Sequence, residues 1–365
     1  MFADVYKGKT VLVTGHTGFK GAWLSLWLHK LGAKVVGLSL KELTEPSHFK
    51  TAALAEFVDD RRMKLEESEQ LTKLLSELKP DFIFNLAAQS LVGRAYSSPV
   101  STMLTNAIGS ATLLDCVRAN LDSCVLVMVT SDKVYLNQEW PWGYRETDKI
   151  GGFDPYSASK GMAELAINCF VESFFSSHDN QDVRIGVGRA GNVIGGGDWS
   201  ENRIFPDCVR SWLNSSTLNL RNPNSTRPWQ HVLEPLSGYL LLGQLLFESR
   251  KHHGEAFNFG PLSQNNFSVI ELIEEIKVSW ESVSWNIEDC NSTNILESGL
   301  LKLNCDKAHH ELGWEPTLTF SETVSLTVDW YQNFYFGKRQ TRELSLEQID
   351  NYCKKAKKVG ANWTK

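Results

Sequence analysis

The sequence predicts an α/β protein whose first half forms a doubly wound parallel sheet and whose second half adds a smaller domain of mixed composition. Short apolar runs alternate with amphipathic helical patterns in the first half, and a glycine-rich turn follows the first run. After about Gly191 the pattern changes to glycine- and proline-rich loops with recurring helices. Apolar strands separated by helices are typical of a parallel sheet covered on both faces. We assign residues 1–190 to the sheet domain, with later segments able to return to it, and residues 191–365 mainly to the second domain.

The first elements are defined by residue type and spacing. Thr10–Thr14 is a short run of β-branched and aliphatic residues, which favours a strand. Apolar residues in Phe19–Leu31 recur every three or four positions, which is the spacing of one helix face. A second strand is predicted at Val35–Leu40 and a further helix at Leu71–Leu78. Between these two, a third strand is expected near Glu56–Leu65, where the charged run 59–62 interrupts it.

The later elements continue the alternation. The predicted strands are Asp81–Leu86, Cys124–Thr130 and Val183–Arg189, and the predicted helices are Ser101–Ala119 and Pro155–Phe175. In the second half, helical patterns recur at Ile204–Leu213, Val232–Phe247, Val269–Ser279, Phe320–Tyr335 and Leu346–Lys355.

Composition and charge argue against several classes of protein. The chain has 365 residues, with 37 Lys and Arg against 43 Asp and Glu, and a net charge of −6. A weakly acidic chain does not suit nucleic acid, which needs clustered basic residues, and no run of about 18 apolar residues predicts a membrane helix. The first residues lack the apolar segment of a signal peptide. We therefore expect a cytoplasmic protein without nucleic-acid or membrane partners.

Neither the cysteines nor the histidines indicate a metal site. The seven cysteines are odd in number and no two have the spacing of a zinc motif, so we interpret them as small buried hydrophobes in a reducing compartment. The adjacent pairs His252-His253 and His309-His310 point to different sides of a helix and are expected on the surface.

Gly15, Gly18 and Gly21 form a G-x-x-G-x-x-G pattern between the first strand and the first helix. The first glycine permits a tight turn, the second lets a pyrophosphate approach the backbone, and the third lets the helix pack closely on the strand. The N–H groups and partial positive charge of the helix N-terminus also favour phosphate. In this context the pattern predicts a dinucleotide site.

The acidic residue that usually bonds the adenosine ribose is missing from this sequence. Dinucleotide folds place Asp or Glu at the end of the second strand, where this chain has Ser39, Leu40 and Lys41. Ser39 could bond a ribose hydroxyl, whereas Lys41 could favour the 2′-phosphate of NADP. The residues themselves leave the choice between NAD and NADP open.

Tyr156 and Lys160 form a Y-x-x-x-K pattern within a predicted helix. The spacing of four places both side chains on one helix face, where an ammonium group stabilises the phenolate and makes the tyrosine a base near neutral pH. Ser131, Asp132 and Lys133 follow directly after an apolar strand. Because the carboxyl ends of parallel strands face the ligand crevice, polar residues at this position indicate a catalytic site.

Together these motifs resemble those of the extended short-chain dehydrogenases/reductases, and within them the nucleotide-sugar 4,6-dehydratases. The similarity extends over nearly the whole chain, from Gly8 to about Trp330. The matching segments are Gly15–Gly21, Leu86–Val92, Thr105-Asn106, Thr130–Tyr135, Asp154–Lys160, Arg189–Trp199 and Arg227–Pro235. The resemblance implies a Rossmann-type fold with NAD as cofactor and a nucleotide sugar as substrate. Ser131-Asp132-Lys133, in place of Thr-Asp-Glu, favours the branch that acts on CDP-glucose over the dTDP branch.

The resemblance also implies a role for each catalytic residue. Tyr156 takes the proton of the sugar 4-hydroxyl as hydride leaves C4, Lys160 lowers the pKa of Tyr156, and Ser131 bonds the 4-oxygen. Asp132 protonates the departing 6-hydroxyl. Lys133 occupies the position of the dTDP-branch base, and it serves either as a neutral base or by stabilising the enolate. Hydride return to C6 gives a 4-keto-6-deoxy sugar.

Binding residues carry over from the same matching segments. The implied cofactor residues are Gly15, Thr17, Gly18, Phe19, Lys20, Gly21, Lys64, Leu65, Leu86, Ala87, Ala88, Gln89, Asn106, Thr130, Tyr156 and Lys160. The implied substrate residues are Ser90, Asn192, Arg203, Arg221 and Arg227. The guanidinium group of arginine can form two hydrogen bonds to a diphosphate at once, which suits these positions. Arg221 could equally be a surface residue. One departure is Lys64, which stands where the family has an aspartate that bonds the adenine amino group.

Two other functions use the same features. A nucleotide-sugar 4-epimerase would need Tyr156 and Lys160 but not Asp132-Lys133, and a 4,6-dehydratase could act on another nucleotide sugar. A cofactor-binding regulatory protein is an alternative of a different class, which the presence of both Tyr156 and Lys160 disfavours. The resemblance further implies a homodimer or homotetramer built on Ser101–Ala119 and Pro155–Phe175.

Overall fold

A central parallel sheet with helices on both faces organises the protein. The computed structural model describes residues 1–176, 181–220, 222–262, 265–280, 283–287, 300–337 and 339–365. Its strands are β1 (Thr10–Thr14), β2 (Lys34–Ser39), β3 (Asp59–Arg62), β4 (Phe82–Asn85), β5 (Ser123–Val129), β6 (Asp182–Ala190), β7 (Val193–Ile194), β8 (Leu218–Leu220), β9 (Thr226–Arg227), β10 (Gln230–His231), β11 (Ala256–Phe259), β12 (Phe267–Ser268) and β13 (Trp285–Ile287). Seven of them form the central sheet in the order β11-β6-β5-β4-β1-β2-β3, with all neighbours parallel. The predicted doubly wound α/β class is confirmed.

The helices connect these strands and cover the sheet. They are α1 (Phe19–Lys30), α2 (His48–Thr51), α3 (Ser68–Leu78), α4 (Val92–Ser97), α5 (Pro99–Met103), α6 (Gly109–Asn120), α7 (Pro155–Phe170), α8 (Ile204–Leu213), α9 (Leu233–Glu248), α10 (Val269–Ser279), α11 (Phe320–Phe336) and α12 (Thr341–Lys358). The predicted helix Ser101–Ala119 is found as α5 and α6 joined by a π-helical turn at Leu104–Ile108. A second π-helical turn, Val171–Phe175, extends α7.

The third strand lies within the expected range Glu56–Leu65, but the charged run Asp59–Arg62, which was expected to interrupt it, forms it. This strand, β3, lies at the sheet edge, and among the described strands it pairs with β2 alone. The Arg61 Nε atom lies 2.8 Å from Asp59 Oδ1, and the Arg62 Nη2 atom lies 2.7 Å from Asp60 Oδ2. Charges are tolerated on an edge strand because one side remains in water, and they also discourage pairing with another chain.

The central sheet is completed by chain from the second half. Strand β11 pairs with Val187–Ala190 of β6. Helix α9 covers the same strand so closely that a Cβ on Gly188 would lie 2.6 Å from the Tyr239 ring. The sheet therefore extends beyond residues 1–190, because α9 and β11 both return to it.

One large hydrophobic cluster contains buried residues from both halves of the chain. Trp27 of α1 lies 5.8 Å from Tyr352 of α12 in an edge-to-face contact. The Trp23 indole donates a hydrogen bond of 2.8 Å to the Gly196 carbonyl oxygen. These contacts fix the second half against the helix that follows the glycine loop.

The prediction that both histidine pairs lie on the surface is wrong for the first pair. His252 is buried against Phe257, and His253 Nδ1 accepts a hydrogen bond of 3.0 Å from the Ile185 N–H. The turn that carries them packs against β6 and β11. His309 and His310 are exposed. In the described part of the chain no helix is long and apolar enough to cross a membrane, and no three potential metal ligands cluster there.

Candidate active site

Loops that follow four neighbouring strands meet at the carboxyl edge of the central sheet. Gly15, after β1, lies against the chain after β4, and a Cβ on Gly15 would be 2.9 Å from the Ala87 nitrogen. Gly191, after β6, lies against Asp132, after β5, and a Cβ on Gly191 would be 3.0 Å from Asp132 Oδ2. The crevice thus opens where the strand order reverses, between β1 and β4, which is the usual ligand position in such sheets.

The glycine loop depends on glycine for one backbone angle and for one close contact. Gly15 has φ +73°, in the left-handed region. A Cβ on Gly21 would lie 2.1 Å from the Gly15 oxygen, so the absence of a side chain lets α1 pack this closely. Gly18 is the N-cap of α1 and provides no side-chain cap. The first-turn N–H groups of α1 are therefore available to an anionic ligand.

Ser39 and Thr17 border the crevice on the side of β2. Their hydroxyl oxygens are 2.7 Å apart, and the Thr17 hydroxyl lies 3.2 Å from the Leu40 carbonyl oxygen. The Ser39 hydroxyl is thereby fixed at the end of β2, where the sequence predicted a ribose contact. Lys41 and Lys64 are both exposed at this edge.

Three of the predicted cofactor residues have side chains that bond or pack within the protein. The Asn106 side chain is buried, and it accepts a hydrogen bond of 2.8 Å from the Gln89 N–H and donates one of 2.8 Å to the Ser159 hydroxyl. The Gln89 side chain accepts a hydrogen bond of 2.7 Å from the Leu91 N–H. The Leu65 side chain is buried in the core beside α6. Asn106 and Gln89 therefore fix the loop after β4 against α7.

Tyr156 and Lys160 lie on one face of α7, at the start of the helix. Asp154 caps this helix, because its Oδ1 accepts hydrogen bonds of 2.9 and 3.0 Å from the N–H groups of Tyr156 and Ser157. Burial raises the pKa of Tyr156 to about 12, although the Ser131 hydroxyl opposes this rise. Burial lowers the pKa of Lys160 to about 8. Burial thus outweighs the local stabilisation of the phenolate, and the base expected from the sequence needs further positive charge beside it.

Asp132 places a buried carboxyl group next to Tyr156. Its Oδ1 accepts a hydrogen bond of 2.8 Å from the Ser131 hydroxyl, whereas its buried Oδ2 has no hydrogen-bond partner among the described residues. Burial raises the pKa of Asp132, and the positive charge of Lys133 opposes this. A carboxyl group with a raised pKa and an unpaired oxygen is better suited to deliver a proton than an exposed carboxylate is.

Two cations from other elements border the same space. Arg203 precedes α8 and is held by the buried Asp198, whose Oδ2 lies 2.8 Å from Arg203 Nη1, while Arg203 Nη2 lies 3.3 Å from the Ser90 hydroxyl. Lys20 comes from the first turn of α1, and burial lowers its pKa to about 7, with Arg203 adding to this effect. The positive charge around the crevice favours an anionic ligand.

The remaining predicted substrate residues come from the second half of the chain. Asn192 follows Gly191, and its carbonyl oxygen accepts a hydrogen bond of 3.1 Å from the Gln230 N–H. Arg227 lies on β9, and the adjacent Pro228 side chain is 3.3 Å from the position of a Cβ on Gly191. The structure therefore brings both segments to the crevice. Arg221 lies outside the described residues.

Sequence reasoning missed three buried residues beside the catalytic group: Glu164, Arg189 and Tyr239. Glu164 lies one helical turn after Lys160 and forms a buried ion pair with Arg189. Tyr239 approaches from α9, and its buried hydroxyl has no hydrogen-bond partner among the described residues. The four-residue spacing from Lys160 to Glu164 was a usable signal. Nothing in the sequence indicated Tyr239, because it lies in a leucine-rich helix whose first ten residues are all buried.

Known proteins match this chain over most of its length. The family model described as GDP-mannose 4,6 dehydratase matches residues 12–327. A CDP-glucose 4,6-dehydratase from Salmonella typhimurium is 42% identical over 338 residues, which cover 92% of this chain and 94% of that protein. Among solved structures, an epimerase from Methanothermobacter thermautotrophicus superposes with a TM-score of 0.79 at 24% identity, over 95% of this chain and 96% of that one.

A second solved structure with the same fold is named as a dehydratase. The dTDP-glucose 4,6-dehydratase from Bacillus anthracis, in complex with NAD, superposes with a TM-score of 0.72 at 22% identity, over 90% of this chain and 98% of that one. Likeness at this level of identity establishes the fold. The family match and the Salmonella relative go further, and they show that this chain belongs to the GDP-mannose 4,6 dehydratase family.

Proposed function

We propose that this protein converts CDP-glucose to CDP-4-keto-6-deoxyglucose. The observation that carries the proposal is the buried Asp132 carboxyl beside Tyr156, because oxidation at C4 alone needs no acid there. Its unpaired Oδ2 is suited to protonate a departing hydroxyl. The relative that is 42% identical over 92% of this chain is named for the same reaction.

The crevice has the features that NAD requires. The uncapped N-terminus of α1 suits the pyrophosphate, the Gly15 turn leaves room beside it, and Ser39 offers a hydroxyl to the adenosine ribose. We assign the cofactor to the residues from Gly15 to Gly21 and to the loop after β4. When bound, NAD would supply a hydride acceptor for the sugar C4 and would bring positive charge into the crevice.

Tyr156 and Ser131 would act at the sugar 4-oxygen. The Tyr156 phenolate takes the 4-hydroxyl proton, and the Ser131 hydroxyl donates a hydrogen bond to the same oxygen. Lys160 holds positive charge near the phenolate. The pKa values of about 12 for Tyr156 and about 8 for Lys160 indicate that this pair needs the bound ligands to work near neutral pH.

Asp132 and Lys133 would act at C6 and C5. The 4-ketone makes the C5 proton acidic, and loss of that proton with the 6-hydroxyl releases water. Asp132 gives its proton to the departing 6-oxygen, so that water leaves instead of hydroxide. Lys133 would take the C5 proton or stabilise the enolate charge, and return of the hydride to C6 with a proton to C5 would complete the 4-keto-6-deoxy product. Arg203 and Arg227 would hold the diphosphate, because their guanidinium groups bond its oxygens in pairs.

We also propose that the protein is a cytoplasmic homodimer, or a dimer of dimers, built on the segment from α5 to α6 and on α7. Large apolar side chains are exposed along these helices, namely Val100, Leu104, Ile108, Met162 and Leu165. Leu165 is 61% exposed although it lies in the middle of α7. A patch of this kind favours a second copy of the chain.

One experiment tests the activity and its main alternative. The protein is incubated with NAD and, separately, with CDP-, dTDP-, GDP- and UDP-glucose. The 4-keto-6-deoxy product is then read by its alkaline ultraviolet absorbance and by mass spectrometry. We expect loss of 18 mass units, the mass of water, from CDP-glucose at the highest rate. A 4-epimerase would give no mass change, and a regulatory protein would give no product.

A further inference from the structure

A buried ion pair behind the proposed catalytic residues connects α7, β6 and the loop after β5. The Glu164 Oε1 atom lies 2.8 Å from Arg189 Nε, and Oε2 lies 2.9 Å from Arg189 Nη2. The same Oε1 accepts a hydrogen bond of 2.6 Å from the Thr130 hydroxyl. Both charged side chains are almost fully buried, at 1% and 3% exposure. A two-point ion pair with an added hydroxyl bond fixes geometry as well as charge.

The three partners of this pair have different places in the active site. Glu164 lies on α7, one turn after Lys160. Thr130 directly follows β5 and precedes Ser131 and Asp132. Arg189 lies on β6, two residues before the Gly191 that contacts Asp132. The Glu164 carboxylate therefore ties the loop of the proposed acid to the helix of the proposed base.

The far side of Arg189 is held equally firmly. Its Nη1 donates a hydrogen bond of 2.8 Å to the Tyr135 hydroxyl, which in turn donates one of 2.7 Å to Asn258 Oδ1. Nη1 also donates to the Glu146 carbonyl oxygen at 3.1 Å. Arg189 cannot turn away from Glu164 without breaking these bonds, so the ion pair has one arrangement.

We propose that Glu164 is a positioning residue, which holds the Thr130–Asp132 loop against α7 and fixes a negative charge one helical turn from Lys160. The proposal rests on the proposed dehydratase function. The charged and titratable groups around Lys160 are Glu164 and Tyr156 on its own helix and Lys20 from α1. Beyond them lie Asp132 after β5 and Arg189 on β6. The π-helical turn Leu104–Ile108 also packs against α7, and there the uncharged Asn106 donates a hydrogen bond to the Ser159 hydroxyl.

The sign of the charge effect follows from this arrangement. The negative charge of Glu164 raises the pKa of Lys160, against the lowering by burial. Glu164→Gln removes that charge and leaves the Arg189 charge uncompensated. Lys160 then loses its proton at lower pH, and the phenolate of Tyr156 loses its neighbouring cation.

The test compares Glu164→Gln, Glu164→Asp and the double variant Glu164→Gln/Arg189→Gln with the wild type. In Glu164→Gln we expect kcat to fall on the order of a hundredfold at neutral pH and the alkaline limb of its pH profile to move down by about one unit. Glu164→Asp keeps the charge, so its alkaline limb should fall at the same pH as that of the wild type. In the double variant the alkaline limb should return to the wild-type pH, while kcat stays low. An equal loss at every pH, with an unmoved limb, would overturn the charge part of the proposal.

A second variant and a second readout keep the proposal testable if Glu164→Gln fails to fold or if CDP-glucose is not the substrate. Thr130→Val removes the hydroxyl bond and no charge, so it should lower kcat without moving the alkaline limb. Acetic anhydride labelling of Lys160 against pH, followed by mass spectrometry, reports its ionisation without any substrate. Glu164→Asp, which keeps the charge, should label like the wild type, and Glu164→Gln and the double variant should differ by about one pH unit. Identical labelling curves for these two variants would refute the proposed charge effect whatever the enzyme acts on.

Discussion

The Tyr352 hydroxyl of α12 donates a hydrogen bond of 2.7 Å to the Glu234 carboxylate of α9. The same carboxylate accepts hydrogen bonds of 2.6 Å from the Leu318 N–H and of 2.9 Å from the Thr317 N–H. Glu234 is almost fully buried, and it therefore joins the helix that covers the central sheet to the last two long helices of the chain.

We expect Glu234→Ala to lower the free energy of unfolding by roughly 3 kcal/mol or more, because buried donors would lose their acceptor. Urea titration followed by tryptophan fluorescence measures this loss. Glu322→Ala is the matched control, since Glu322 caps α11 at an exposed position and should cost about 1 kcal/mol. Equal losses in the two variants would contradict the role assigned to Glu234.

Glu234 should also make stability depend on pH. Burial raises its pKa from the ordinary 4.5 to about 7, so the folded state holds a proton between these values that the unfolded state has released. The contribution of Glu234 to stability is therefore full below pH 4.5, and it falls as the pH rises to 7. Glu234→Gln does not titrate. Its stability relative to the wild type should rise across this window with a slope approaching about 1.4 kcal/mol per pH unit.

Tyr156→Phe should remove the acid–base group and keep the aromatic ring. We expect product formation to fall by roughly 10²–10⁴-fold, while the dissociation constant for NAD, measured by calorimetry, changes little. Tyr96→Phe is a suitable control, because Tyr96 is 37% exposed on α4. Retained activity in Tyr156→Phe would mean that another group takes the 4-hydroxyl proton.

Asp132→Asn separates oxidation at C4 from the loss of water. The amide is nearly the same size as the carboxyl but cannot deliver a proton to a leaving hydroxide, so product formation should fall by about 10²–10⁴-fold. Oxidation at C4 should continue in part, and reduced cofactor should accumulate with absorbance near 340 nm. An unchanged rate of product formation would exclude Asp132 as the acid and make Lys133 the next candidate.

The cofactor preference tests the adenosine side of the crevice. We expect NAD to be preferred over NADP. We also expect partial occupancy after purification, because two adenosine contacts are missing: Ser39 stands near the position of the usual acid, and the exposed Lys64 stands at the position of the adenine contact. Ser39→Asp should tighten NAD binding, provided that the new carboxylate keeps the contact with Thr17. A preference of more than about tenfold for NADP would instead assign a phosphate to Lys41.

The proposed dimer is tested by a single charge on α7. Leu165→Glu should shift the protein toward monomer in sedimentation velocity, because a carboxylate would be buried in the apolar contact. Val278→Glu is the control, because Val278 is 78% exposed on α10, away from that patch. A change of equal size in both variants would place the contact elsewhere.

The sequence was sufficient for the sheet class, because the apolar strands and helical spacings leave few arrangements. It failed where the tertiary neighbours decide the outcome. The charged run Asp59–Arg62 forms a strand because it lies at an edge, and β11 becomes the seventh strand of the sheet through its pairing with β6, which sequence spacing does not show.

At the site, local motifs placed Ser131, Asp132, Tyr156 and Lys160 together correctly. The pair Glu164–Arg189 was not predicted because its members are 25 residues apart on different elements. The sequence also suggested that Lys160 suffices to ionise Tyr156, whereas the burial of both side chains opposes this. Burial depends on the whole fold and cannot be read from spacing.

Strand β11, which completes the central sheet, begins some seventy residues after the end of its neighbour β6. The order of synthesis therefore matters for this protein. While the ribosome is still translating that stretch, β6 has an open hydrogen-bonding edge and its glycine-lined face lacks α9. Such an intermediate is prone to pair with other chains. A fragment ending near residue 190 should therefore aggregate rather than fold. Dividing the protein for expression before Phe259 should fail for the same reason, because the sheet is not yet complete there.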